Sequence, residues 1–168
     1  MLPGLLWGRS SNVSICYRWA TASDYDLLGE VIFDAVRNGP SLYNEAQRSA
    51  WVDAPRSGPE WHQRVAAQSI AVAESGGAIA GLMSLTDDGY LDFAFIRPAH
   101  RGSGMFKKLY SMILDLAREQ NQRRILVHAS LMAQPAFSAM GFKVTKEESV
   151  HLNGQYLDRF EMQLVIAK

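Results

Sequence analysis

Residues 12–19 set strand-forming side chains at every second position (Val13, Ile15, Tyr17 and Trp19), which predicts a first strand. The spacing then changes. Leu27, Leu28, Val31, Ile32 and Ala35 share one face of a helix over 24–36, with Thr21, Ser23 and Asp24 as N-cap residues before it. Asn38-Gly39-Pro40 stops that helix. Two short helical stretches over 44–51 and 59–67 follow, separated by Pro55 and Gly58. Strands are predicted over 69–74, 78–85 and 89–96, with turns at Gly76-Gly77 and Asp87-Asp88-Gly89. From 105 to 118 the period returns to helical, and Phe106, Leu109, Tyr110, Ile113, Leu116 and Ala117 make one apolar stripe. A short apolar strand over 124–129, a short helix over 135–140 and strands over 142–145 and 157–165 complete the chain, with an Asn153-Gly154 turn before the last. This order predicts an α/β (α+β) fold around a mixed sheet.

Length and composition narrow the class. The chain has 168 residues, enough for one domain with a proper core. Lys plus Arg and Asp plus Glu are 17 each, so no basic face is expected for a nucleic acid. Cys16 is the only cysteine, which excludes an intramolecular disulfide and a thiolate zinc site, and no metal is expected. A reducing, cytoplasmic setting is the expectation. Residues 1–11 read as a loose N-terminal extension without the basic start or apolar length of a signal peptide or a membrane span, and 12–168 as one domain.

The candidate chemistry sits where the strand over 89–96 gives way to the helix at Met105. The join runs Arg97-Pro98-Ala99-His100-Arg101-Gly102-Ser103-Gly104-Met105. Amides at a helix N-terminus lack internal acceptors, and the helix dipole makes that end positive. Glycines let a ligand approach the main chain. The result is a cradle for a phosphate or diphosphate, to which Arg101 and Lys107 could add charge. The loop fits neither the G-x-x-x-x-G-K-[ST] nor the G-x-G-x-x-G pattern.

Pro98-x-x-Arg101-Gly102-Ser103-Gly104-Met105-Phe106-x-x-Leu109 resembles the acyl-CoA-binding motif R/Q-x-x-G-x-G/A of the GNAT (Gcn5-related N-acetyltransferase) superfamily. Downstream, Ser130-x-x-Ala133-x-x-x-Phe137-x-x-x-Gly141-Phe142 resembles its pattern N-x-x-A-x-x-x-Y-x-x-x-G-F. More narrowly, the chain looks like an uncharacterised bacterial branch. The resemblance implies a mostly antiparallel central sheet of six to seven strands flanked by helices, with the fourth and fifth strands splayed. It implies acetyl-CoA as acyl donor and a small-molecule primary amine as acceptor, with no nucleic-acid or membrane partner. A homodimer is a family expectation only. The pantetheine arm would pair with main-chain groups near Phe95 and Ile96. Amides from Arg101 or Gly102 through Ser103, Gly104, Met105 and Phe106 would hold the diphosphate, with Lys107 beside them. Ser130 and Phe137 would lie near the thiol end.

Two positions depart from the pattern. Phe106 replaces Gly or Ala and is expected to turn into the core. Phe137 replaces the Tyr that commonly protonates the leaving thiolate, and a phenyl ring cannot donate a proton. That change favours the alternative reading, a non-catalytic acyl-CoA sensor. Asp92, alone in the apolar run Tyr90-Leu91-Asp92-Phe93-Ala94-Phe95, is the first candidate base, since an apolar cleft would raise its pKa; a partnered carboxylate is the plainer reading. Ser130 is a second catalytic candidate, set against a simple strand-end cap. His128 shares its strand face, and Tyr43 and Tyr156 are further proton donors. Tyr43 and Trp51 are expected to line the acceptor pocket. His100 is read as solvated, and Cys16 as buried.

Overall fold

A computed structural model describes residues 14–167, so the expected extension over 1–11 lies outside the described residues. The elements are β1 (Ile15–Trp19), α1 (Tyr25–Arg37), α2 (Glu45–Trp51), α3 (Gly58–Ala66), β2 (Gln68–Ser75), β3 (Ala78–Thr86), β4 (Tyr90–Leu91), β5 (Ala94–Ile96), α4 (Met105–Glu119), β6 (Arg124–Ser130), α5 (Gln134–Ala139), β7 (Lys143–Leu152) and β8 (Gln155–Val165). The mixed α/β class and the predicted order of elements hold.

The expected sheet, with its fourth strand splayed from the fifth, is divided at that splay into two four-stranded sheets, in the orders β1-β2-β3-β5 and β4-β6-β8-β7. The division falls inside the stretch predicted as one strand over 89–96. Tyr90–Leu91 pairs in parallel with Leu126–Val127 of β6. Ala94–Ile96 pairs with Gly81–Met83 of β3 in the other sheet. Ser84 of β3 stands opposite Phe93, where the chain changes sheets. Its amide donates to Phe93 O at 2.9 Å. Its fully buried hydroxyl accepts the Phe93 amide, also at 2.9 Å. A side chain thus stands in for one ladder partner, and the strand turns away from β6 beyond Leu91 without leaving a buried amide unsatisfied.

β2 and β3 alternate between two cores. Ala71, Ala73, Met83 and Leu85 face α4, whose stripe supplies Leu109, Ile113 and Ala117. Ile70, Val72 and Leu82 face Leu28, Val31 and Ile32 of α1 and Trp61 and Val65 of α3. Both faces of these strands are covered, so they read as apolar runs. β7 is longer than the predicted 142–145. Its first five residues are all exposed, and it forms a sheet edge paired only with β8. Its Lys and Glu side chains suit such an edge and hide the strand from a search for apolar alternation. Cys16 is exposed, contrary to expectation. β1 is the outer strand of its sheet, and Ile15 and Tyr17, not Cys16, turn toward the core. Among the described residues no helix is long and apolar enough to cross a membrane.

Candidate active site

The loop from Arg97 to Gly104 is held from behind. The Arg97 guanidinium donates to Ile79 O at 2.9 Å and to the Asp34 carboxylate at 3.0 Å, tying the loop to β3 and α1. Met105 is buried against β3 at Gly81, where an added Cβ would come within 2.9 Å of Met105 Sδ. Gly81 therefore lets the start of α4 lie against the sheet. Gly102 and Gly104 have φ of 78° and 81°, the left-handed region that a side chain resists. A Cβ at either would meet no protein atom within 4 Å, so the concave side is open.

Most amides of this loop are free. Arg101 N–H donates to Pro98 O at 3.3 Å, and Lys108 N–H to Gly104 O at 3.3 Å. Between them, the amides of Gly102, Ser103, Gly104, Met105, Phe106 and Lys107 have no acceptor among the described residues. Successive unpaired amides at the head of a 15-residue helix form an anion site. A diphosphate fits this surface.

The loop's charges divide. Lys107 is exposed. The Arg101 guanidinium donates to Ala35 O at 2.8 Å and Pro40 O at 3.1 Å, so it fastens the loop to the end of α1. The expected role of its charge and amide at a phosphate is corrected on both counts. The Ser103 hydroxyl donates to His100 O at 2.6 Å and is likewise spent inside the loop.

Beyond the cradle, β5 is the last strand of its sheet and leaves one edge free. Phe93 O accepts from β3, and Arg97 N–H donates to Ala80 O at 2.8 Å. Strand alternation then aims the main chain of Phe95 at β3 and that of Ala94 and Ile96 into the gap toward β6. Pairing with an extended amide chain therefore falls to Ala94 and Ile96, and Phe95 contributes its ring instead.

The gap widens into a cleft of about 250 Å³. Asp92 lines it, yet not as a lone carboxylate. Arg64 grips it with contacts of 2.9 to 3.2 Å, and Gln68 Nε2 donates to it at 2.7 Å. The expected apolar surroundings are replaced by this clamp. The Arg64 guanidinium also lies 4.7 Å over the Phe93 ring. Ser130 Oγ accepts the Ala133 amide at 3.2 Å, capping the turn into α5, while its oxygen faces the cleft wall. Tyr43 OH donates to Asp158 O at 2.6 Å and accepts from Leu131 N–H at 3.1 Å. With both capacities used, Tyr43 is a fixed wall rather than a proton source. Trp51 packs edge-on against it at 5.7 Å and tilts over Phe95 at 5.9 Å. Tyr156 is exposed at the tip of the β7–β8 hairpin, away from the cleft. Phe137 is buried between Phe106 and Phe142, with ring centroids 5.2 and 5.1 Å away. Phe106 is partly buried against the same core.

Sequence reasoning missed Tyr90 and gave His128 little weight. Tyr90 OH and His128 Nδ1 are 2.7 Å apart at the point where the strands part. His128 Nε2 lies 3.7 Å from Glu148 and 3.7 Å from Glu161. Glu148 accepts from Arg159 Nε at 2.6 Å, and that bond holds its carboxyl below the usual range. Burial, then the Asp92 charge, pushes the Tyr90 hydroxyl above its ordinary value. No local pattern announces this chain of groups, because its members come from β4, β6, β7 and β8.

Comparison with known proteins places the chain in a family. Residues 42–164 match the family model described as an acetyltransferase (GNAT) domain. The chain is 28% identical over 167 residues to an L-methionine sulfoximine/L-methionine sulfone acetyltransferase of Salmonella typhimurium, covering 88% of this chain and 92% of that protein. The fold is similar to a GCN5-related N-acetyltransferase structure from Rhodopseudomonas palustris, with a TM-score of 0.82, 21% identity and coverage of 90% and 95% of the two chains. It is also similar to yncA, a putative acetyltransferase from Salmonella typhimurium solved with acetyl-CoA, with a TM-score of 0.65, 22% identity and coverage of 92% and 95%.

Proposed function

The chain belongs to the GNAT acetyltransferase family, and from that premise we propose that it transfers an acetyl group from acetyl-CoA to the primary amine of a small molecule. One observation carries the reading: six consecutive amides, from Gly102 to Lys107, have no acceptor among the described residues, and the space beside Gly102 and Gly104 is open. They would hold the diphosphate of the donor, and the free edge at Ala94 and Ile96 would pair with its amide-bearing arm. The donor supplies a thioester carbonyl that an uncharged amine can attack.

The chain's own groups handle protons. Tyr90 and His128 form the pair that would accept one from the amine, with Glu148 and Glu161 stabilising the charge His128 gains. Phe137 offers no proton, which leaves Ser130 as the hydroxyl nearest the role that its position has in the family. The Arg64 clamp on Asp92 gives that carboxylate an orienting part beside Tyr90. A named relative that acetylates amino-acid analogues supports a small acceptor, as does the size of the cleft.

The test is acetyl-CoA binding by calorimetry, then thiol release across a panel of amines. Binding and amine-dependent release are expected. No binding would overturn the donor site, and binding without release for any amine would return the chain to a sensor.

A further inference from the structure

Arg56 is the one charged side chain of the cleft wall without a partner among the described residues. Its neighbours are satisfied. Arg64 holds Asp92, and Arg159 holds Glu148. Three arginines and one carboxylate, Asp92, line the cleft; with Arg64 paired to Asp92 and Arg159 paired to Glu148 outside the lining, the positive charge left over is that of Arg56. No hydrogen bond or ion pair engages its guanidinium, and Asp53 and Asp92 reach it only through space.

The residue is nevertheless firmly set. Its carbonyl lies against α1 at Gly29, where an added Cβ would come within 2.0 Å of the Arg56 oxygen. Its guanidinium stands 5.8 Å over Trp61, which is 4% exposed and anchored by a 2.7 Å bond from Nε1 to Tyr25 O. Burial, and next the positive charge of Arg64, pulls the guanidinium below its ordinary value. A partly buried, preorganised, unpaired cation in a binding cleft is costly to keep unless a ligand supplies the counter-charge.

We propose that Arg56 is the acceptor's anion-binding residue and that the acceptor is an amino acid, its carboxylate held by the Arg56 guanidinium. A guanidinium takes a carboxylate through two parallel hydrogen bonds, and one net positive charge matches a monoanion better than a phosphate dianion. The same cleft is lined by Trp51, Val150, Leu152 and Leu157, which suit an apolar side chain. This assignment rests on the acetyl-transfer reading for the amine but not for the carboxylate.

The experiment therefore has two arms on the full chain and on Arg56→Gln and Arg56→Lys. In the first, acetyl transfer to L-leucine, L-methionine and L-phenylalanine is compared with transfer to the amines that lack only the carboxylate. The amino acids should be preferred at least tenfold in kcat/KM. Arg56→Gln should erase that preference mainly through KM, and Arg56→Lys should restore part of it. In the second arm, binding of the corresponding N-acetyl amino acids and N-acetyl amines is measured by calorimetry with CoA present, which needs no turnover. Tighter binding of the acids that disappears in Arg56→Gln supports the assignment, even if no amine is acetylated and the transferase reading falls. Equal or undetectable binding of the acids by the parent chain, or a preference unchanged in Arg56→Gln, overturns it. Thermal melts show whether each variant is folded.

Discussion

The two ends of the cleft offer a ligand different kinds of group. At the head of α4 the working groups are main-chain amides, set by two glycines with positive φ and backed by Arg97 and Met105. At the acceptor end they are side chains, Arg56, Arg64, Tyr90, Asp92 and His128, brought together from the segment before α3, from α3, from the broken strand and from β6. A backbone site depends on a few consecutive residues and tolerates change in their side chains. A side-chain site depends on the packing of distant segments, so its specificity can change while the donor end stays constant.

Substitutions can break or sharpen that contrast. The largest effect is expected from Gly104→Val, which places a side chain in the open concavity at a strained φ of 81°. Loss of two charge-assisted hydrogen bonds predicts a fall of about 100-fold or more in acetyl-CoA affinity by calorimetry. Retained affinity would break the main-chain account of the donor end.

Tyr90→Phe removes the hydroxyl from His128 and should lower kcat about 100-fold, with little change in KM for acetyl-CoA. The same variant has a pH signature. Burial raises the folded-state pKa of Tyr90, so its contribution to stability is full below the unfolded phenol value of about 10 and is lost as pH rises through the folded value. Denaturant titrations at alkaline pH should show a shallower loss of stability in Tyr90→Phe than in the parent.

Ser84→Ala acts between the two ends. It strips the Phe93 amide of its acceptor in a buried site and should cost about 1–3 kcal/mol, read from urea unfolding. A neutral result would mean that the strand break does not depend on Ser84.

The smallest effects separate the two charges of the loop. Lys107→Ala should weaken acetyl-CoA binding by roughly threefold to tenfold at low salt, less as salt rises. Arg101→Ala should instead cost about 1–2 kcal/mol of stability, because its bonds go to Ala35 O and Pro40 O. An affinity loss in Arg101→Ala larger than in Lys107→Ala would reverse that division.

The donor end was open to reading from the chain alone. Gly102, Gly104 and the apolar stripe from Phe106 to Ala117 are local signals, and both the helix start and its free amides follow from them. The acceptor end was not. Asp92 stood out correctly as a charge in an apolar run, but nothing nearby in sequence showed that Arg64, 28 residues away, would clamp it. Tyr90 looked like one more apolar strand residue until the fold set it beside His128, 38 residues later. Arg101 looked like a phosphate ligand because its tie to Ala35, 66 residues earlier, is invisible along the chain.

The sequence by itself determined the order of helices and strands, the amide cradle and the family, since each rests on periodicity or on residues within one turn of each other. Only the tertiary structure decided where the fourth strand breaks, which charges of the cleft wall pair and which one of them, Arg56, is left over among the described residues. Ion pairing and hydrogen bonding act through space over a few ångströms, and it is the packing of distant segments that makes those distances short.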